Sequence, residues 1–174
     1  MGKSTLYQSL QSLQDMPRVN TDEILRDFGD WRNMADVMTA GKIAVKKIDQ
    51  YFGESITFNQ ETTLCGKSIL KNIAKDRGYF IELHYIGVED VDIAKERVAM
   101  RVKQGGHGIA EKDIERRYID TFHNLEIVLQ KCDLAAFYDN TIEFRRFAIY
   151  KNGKPVRVSH DVPVWYEKFI ANVK

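Results

Sequence analysis

The chain has 174 residues, 44% hydrophobic and 29% charged, the range of a globular protein whose core is large enough to fold without disulfide or metal staples. Its formal net charge of +1 gives no bulk attraction to nucleic acid or to an anionic membrane, so neither is expected as a partner. No apolar run approaches the roughly 20 residues that span a bilayer, and the polar helical stretch directly after Lys3 is unlike a signal peptide.

Cys65 and Cys132 stand far apart without C-x-x-C spacing, so two free thiols in a reducing cytoplasm are expected. There is no internal repeat, low-complexity tract or Pro/Gly linker, which predicts one domain over residues 1–174.

In chain order, Leu6, Leu10 and Leu13 predict a helix over residues 3–14. Pro17 introduces a short extended piece, Arg18-Val19-Asn20, and Thr21-Asp22-Glu23 can cap a following helix. Helical spacing of Met34, Val37, Met38, Ala44, Val45 and Ile48 predicts a helix from Asn33 to Phe52, stopped by Gly53. The stretch "ESITFNQETT" alternates like a strand, and Gly66 to Lys75 is helical.

The segment "YFIELHYIGV" is the strongest strand by its aromatic and β-branched content. Helices follow over residues 92–104 and 111–131, separated by Gly105-Gly106, and then the strand "LAAFYDN". Strands alternating with helices to about residue 139 predict an α/β fold with a parallel sheet. Two strands about Lys151-Asn152-Gly153-Lys154 predict a type I′ hairpin at one sheet edge, and residues 164–173 a closing helix.

Several residues suit chemistry, each with a plainer alternative. Gly2-Lys3-Ser4 opens a helix, as the end of a phosphate-binding G-x-x-x-x-G-K-[ST] loop does. Lys3 would then reach the β/γ-phosphates and Ser4 would ligate Mg²⁺. The alternative is a plain helix start with a solvated lysine. Asp22 suits either a helix cap or a base accepting a hydroxyl proton. Glu61-Thr62-Thr63 ends a strand, where α/β sheets bind ligands, or caps the next helix.

Arg97 and Arg101 share a helix face, and Arg116-Arg117 follow the glycine-rich "QGGHGIAEKDIE". A mobile lid carrying cations onto a transferring phosphoryl group has this composition, as do solvated faces paired with Glu96, Glu111 and Glu115. His107 has no second ligand at metal spacing, so a zinc site is rejected. His84 reads as structural, and Asp139-Asn140 as a turn or a nucleotide contact.

The order of these segments is more specific than any one of them. The series "GKST", "VNTDEI", "FNQETTLCGKSIL", "AKERVAMRVKQGGHGIAEKDIERRYIDTFHNL" and "YDNT" resembles the zeta-toxin family of P-loop kinases, particularly its short chromosomal members, from Gly2 to about Thr141. The resemblance implies a three-layer P-loop kinase fold with helices on both sheet faces. It implies phosphorylation, dependent on ATP and Mg²⁺, of a hydroxyl on a small substrate, which in the family's toxins is a UDP-activated amino sugar. It also implies an antitoxin protein as partner.

By position, Gly2, Lys3, Ser4 and Thr5 would bind nucleotide, with Ser4 on the metal. Asp22 would be the base, and Glu61 with Thr62 would position substrate or the metal shell. Arg101 and Arg116 would supply lid charges, with Arg97 and Arg117 beside them. Ala110 stands where the family has proline. The family's central first strand and the first half of its loop are expected before Gly2, so the chain is expected to be an N-terminally truncated form, with Met1 where a small loop residue belongs. The rival expectation is a degenerate, non-catalytic fold acting through a protein partner.

Overall fold

A computed structural model describes residues 2–74, 78–106 and 108–171, and the expected helix ends at Lys75 and Val173 lie outside them. The fold is mixed α/β. Its elements run α1 (Lys3–Ser9), α2 (Gln11–Gln14), β1 (Arg18–Asn20), α3 (Thr21–Arg26), α4 (Met34–Gly53), β2 (Asn59–Glu61) and α5 (Lys67–Ala74). They continue β3 (Glu82–Gly87), α6 (Val91–Lys103), α7 (Glu111–Leu129), β4 (Leu134–Asp139), β5 (Arg145–Lys151), β6 (Lys154–Val158) and α8 (Val164–Phe169). The described residues form two compact units, Lys3–Thr62 and the described part of Thr63–Lys174 with Gly2.

In the unit Lys3–Thr62, β1 and β2 pair in parallel, Arg18 opposite Asn59, Val19 opposite Gln60 and Asn20 opposite Glu61. Strand alternation divides their side chains between two faces. Val19 is buried in an apolar cluster with Ile24 and Leu25 of α3 and Ala40, Ala44 and Ile48 of α4. The opposite face is polar: Arg18 stacks under Tyr7 of α1 at 3.9 Å, and the Asn59 side chain donates to the Leu13 carbonyl at 2.8 Å.

Two expectations change here. The helix over 3–14 is broken at Leu10, whose backbone is extended at φ −116°, ψ 104°. Of "ESITFNQETT" only Asn59–Glu61 is strand. Ser55 turns the chain at φ 56°, the Ile56 amide donates back to the Tyr51 carbonyl, and Phe58 packs its ring on Tyr51 and Phe52. Aromatic packing on the end of α4 takes the residues that alternation assigns to a strand.

In the second unit the sheet order is β3-β4-β5-β6, with β3 and β4 parallel and the later pairs antiparallel. Asn152 and Gly153 both have positive φ, 50° and 73°, as a type I′ turn requires. One sheet face carries Tyr85, Ala135 and Phe137 into a core completed by Ile69 of α5, Phe122, Leu125 and Leu129 of α7, and Trp165 and Tyr166 of α8. An irregularity in the β4–β5 pairing passes over Phe147 and turns it into that core, 5.1 Å from the Tyr166 ring and 5.6 Å from that of Trp165.

Trp165 packs so closely on the end of β3 that a Cβ at Gly87 would overlap its indole. Gly41, within α4, has no atom near enough to meet a Cβ. Gly87→Ala is therefore expected to destabilise the protein by about 1–3 kcal/mol through overpacking. Gly41→Ala is expected to stabilise it by about 0.5–1 kcal/mol through reduced backbone entropy. Urea unfolding followed by far-ultraviolet circular dichroism checks both, and the opposing signs are the decisive readout.

Candidate functional site

Parallel strands end together, so their carboxyl ends form an edge where side chains from distant segments meet. At the ends of β1 and β2 stand Asn20 and Glu61, paired in register. Glu61 is largely withdrawn from water, with 17% of its side chain exposed. Its Oε2 accepts from the Arg18 guanidinium and from Asn20 Nδ2 at 3.3 Å. Its Oε1 lies 3.7 Å from the Nζ of Lys3, the first residue of α1. A carboxylate removed from water needs such donors and counter-charges.

Asn20 serves two elements at once. Its Oδ1 caps α3 by accepting the Asp22 amide at 3.0 Å, while its Nδ2 holds Glu61. Asp22 is thus the second residue of α3 rather than its cap, and it is exposed. Ser4 and Thr5 are exposed on the first turn of α1, and Thr62 directly follows β2. Lys3, Asn20 and Glu61 are in one cluster, with Asp22 bonded through its amide to the same asparagine. Arg18 was absent from the sequence-based candidates. An arginine in a short strand carries no local mark of its partner 43 residues away.

In the other unit, Gly2 adopts φ 93°, and a Cβ there would stand 2.8 Å from the Asn140 side chain. Asn140 follows β4, and its amide donates to the Gly87 carbonyl at 3.0 Å. Asp139 is buried, and its Oδ1 accepts from Trp165 Nε1 at 3.0 Å and from Thr141 Oγ1 at 2.7 Å. Asp139 thereby joins β4 to α8, a role outside the turn or nucleotide contact expected of Asp139-Asn140. Arg97 donates through Nη2 to the Thr141 carbonyl at 2.8 Å, and its buried Nη1 has no hydrogen-bond partner among the described residues.

The remaining arginines of the expected lid are dispersed along α6 and α7. Arg101 is partly exposed near the end of α6, its aliphatic stem against Gly106. Arg116 is exposed and held by carboxylates of its own helix, Asp113 at 3.0 Å and Asp120 at 3.1 Å. Glu115 pairs with Lys95 at 2.6 Å instead of with an arginine. Arg117 accepts the Cys65 thiol at 3.2 Å through its backbone carbonyl. Ala110, at φ −60° and ψ 139°, takes a conformation compatible with proline's fixed φ. His107 lies outside the described residues.

Among the described residues no His/Cys/Asp/Glu group could hold a metal ion by itself, and no helix is long and apolar enough to cross a membrane. Both cysteines are free, and burial pushes the Cys65 thiol up and that of Cys132 up to about 12, against the thiolate a cysteine nucleophile needs. His84 bonds Glu82 at 3.1 Å and Tyr138 at 3.3 Å, and burial lowers its pKa, with Glu82 opposing that shift.

An uncharacterized protein of Haemophilus influenzae is 34% identical to this chain over 119 residues, 67% of the chain and 84% of the relative. The chain belongs to that protein's family. No family model matches the chain, and no solved structure matches it.

The two duties of Asn20 can be separated. Asn20→Ala removes both cap and Glu61 donor, an expected loss of about 1–2 kcal/mol. Asn20→Asp keeps a capping oxygen but sets a second carboxylate against Glu61. Guanidinium unfolding at neutral and mildly acidic pH checks the pair: Asn20→Asp is expected to recover toward wild type as pH falls and the carboxylate pair takes up a proton, whereas Asn20→Ala is expected to stay apart.

Proposed function

We propose that the protein is a P-loop kinase of the zeta-toxin type, dependent on ATP and Mg²⁺, that phosphorylates a hydroxyl of a small substrate. The observation that carries this reading is the gathering of Lys3, Asn20 and Glu61, from three separate segments, at the carboxyl ends of two parallel strands. Asp22 stands two residues beyond Asn20 with its carboxylate in solvent, the exposure a base needs to meet a substrate hydroxyl.

The donors present fit the groups this chemistry uses. Lys3 has one carboxylate neighbour at 3.7 Å and keeps about a third of its side-chain exposure, so its ammonium can turn to a phosphate. Ser4 offers an exposed hydroxyl in the first turn of α1. Magnesium commonly takes few protein ligands, with phosphate and water completing its shell, and the Ser4 hydroxyl would be one of them. When bound, Mg²⁺ neutralises charge on the transferring phosphoryl group.

In this mechanism Lys3 orients the phosphates, Asp22 accepts the proton of the attacking hydroxyl, and Glu61 with Thr62 orients the acceptor. Arg101 and Arg116 are assigned by the resemblance to the lid, and a UDP-activated amino sugar is the acceptor it suggests. An antitoxin protein is the partner implied on the same ground.

Calorimetry of Mg²⁺-ATP with the protein purified from its own cells tests the reading, and binding in the absence of any acceptor is the expected result. Failure of the folded protein to bind would favour the non-catalytic alternative. Asp22→Ala is expected to lower kcat by about 10²–10⁴-fold with ATP affinity nearly unchanged, as for a lost general base. An equal loss of ATP affinity would make Asp22 a binding or structural residue.

A further inference from the structure

Arg18 has no step in the proposed chemistry, yet its side chain is only 14% exposed and makes three contacts. Nη1 pairs with Glu23 at 2.7 Å, Nη2 pairs with Glu61, and the guanidinium carbon lies 3.9 Å from the centre of the Tyr7 ring. These contacts fix the guanidinium from α1, α3 and β2 together. A planar fork held on three sides directs one carboxylate oxygen in a way that a flexible ammonium does not.

The two oxygens of Glu61 are used unequally. Oε2 is held by Arg18 and Asn20, whereas Oε1 faces Lys3 across 3.7 Å, beyond an ordinary hydrogen bond. We infer that Arg18 is a positioning residue that satisfies Glu61 and so keeps Lys3 available for exchange onto phosphate. Without Arg18, a largely buried carboxylate is left with one cation in reach. The Lys3 stem is flexible enough to close that gap, and a phosphate then has to displace a direct ion pair. The inference rests on the reading of Lys3 as a phosphate ligand, so its test needs a readout that does not involve nucleotide.

That readout is the rate at which Lys3 is acylated by an N-hydroxysuccinimide ester, followed by mass spectrometry against the exposed Lys42 and Lys46 of the same molecule. Arg18→Met is expected to slow Lys3 labelling several-fold, and Arg18→Met/Glu61→Gln to restore it. Mg²⁺-ATP affinity is expected to follow the same order, falling about tenfold in Arg18→Met and returning in the double variant. An arginine that served only to brace α1 and α3 through Tyr7 and Glu23 would leave Lys3 labelling unrescued by removing Glu61's charge.

Unchanged Lys3 labelling in Arg18→Met, or no rescue by Glu61→Gln, overturns the inference. Labelling that follows the expected order in a protein that does not bind Mg²⁺-ATP overturns the kinase reading and leaves the role of Arg18 standing. If Arg18→Met does not fold, Arg18→Lys serves. It keeps a cation but cannot bridge Glu23 and Glu61 at once, and is expected to shift labelling in the same direction by less.

Discussion

Placing a carboxylate where little water reaches it is costly unless donors and counter-charge are supplied locally, and Glu61 imposes that requirement on residues 3–62. Its donors come from β1 and α1, so meeting the requirement also brings those segments together. A pair of three-residue strands has little stability of its own. Its register is nevertheless narrowly specified. Moving β1 by one residue would face Val19 toward Glu61 and take it out of the apolar cluster with α3 and α4. Charge on one face and hydrophobic burial on the other therefore select the same pairing.

Asp139, at the end of β4, solves the same problem with neutral donors. Trp165 and Thr141 hold its oxygen, and both donors are anchored: one in the aromatic core, the other in the turn that Arg97 also grips. Exchanging either for a ligand would disrupt packing. Glu61 differs because Lys3 is a long, partly exposed cation at 3.7 Å. The same carboxylate chemistry thus gives a fastener in one unit and an exchangeable contact in the other, according to what supplies the donors.

This distinction explains what could be read in the sequence. Helical periodicity marked α4, α6 and α7 because each spans several turns with a repeated apolar face, and β4 and the Asn152-Gly153 hairpin carry equally local signals. The stretch before β2 misled because alternation is also produced by side chains that fold back on a preceding helix, as Phe58 does. Lys3, Asp22 and Glu61 were legible as chemical types near element ends. Arg18 was not, since its importance lies in Glu23, Glu61 and Tyr7, and only folding brings these together. Asn20 left a readable trace, a capping residue before an acidic helix start, but Thr21 and Asp22 carried the same signal one and two positions later.

The cations can be ordered by how firmly their surroundings hold them, and the order bears on which could meet a phosphoryl group. Arg18 is fixed by two carboxylates and a ring, and leaving would strand Glu61. Arg97 is tied to the Thr141 carbonyl with its second nitrogen buried, so it braces a turn. Arg116, by contrast, is exposed and, among the described residues, paired along its own helix. Such solvent-exposed contacts are weak and weaken further with salt. Lys3 is likewise loosely held. A charge that must follow a transferring phosphoryl group has to leave its resting partner cheaply, so frame and catalytic cations are expected to separate along this scale. Lys3 and Arg116 fall at the loosely held end of this scale, and Arg18 and Arg97 at the firmly held end.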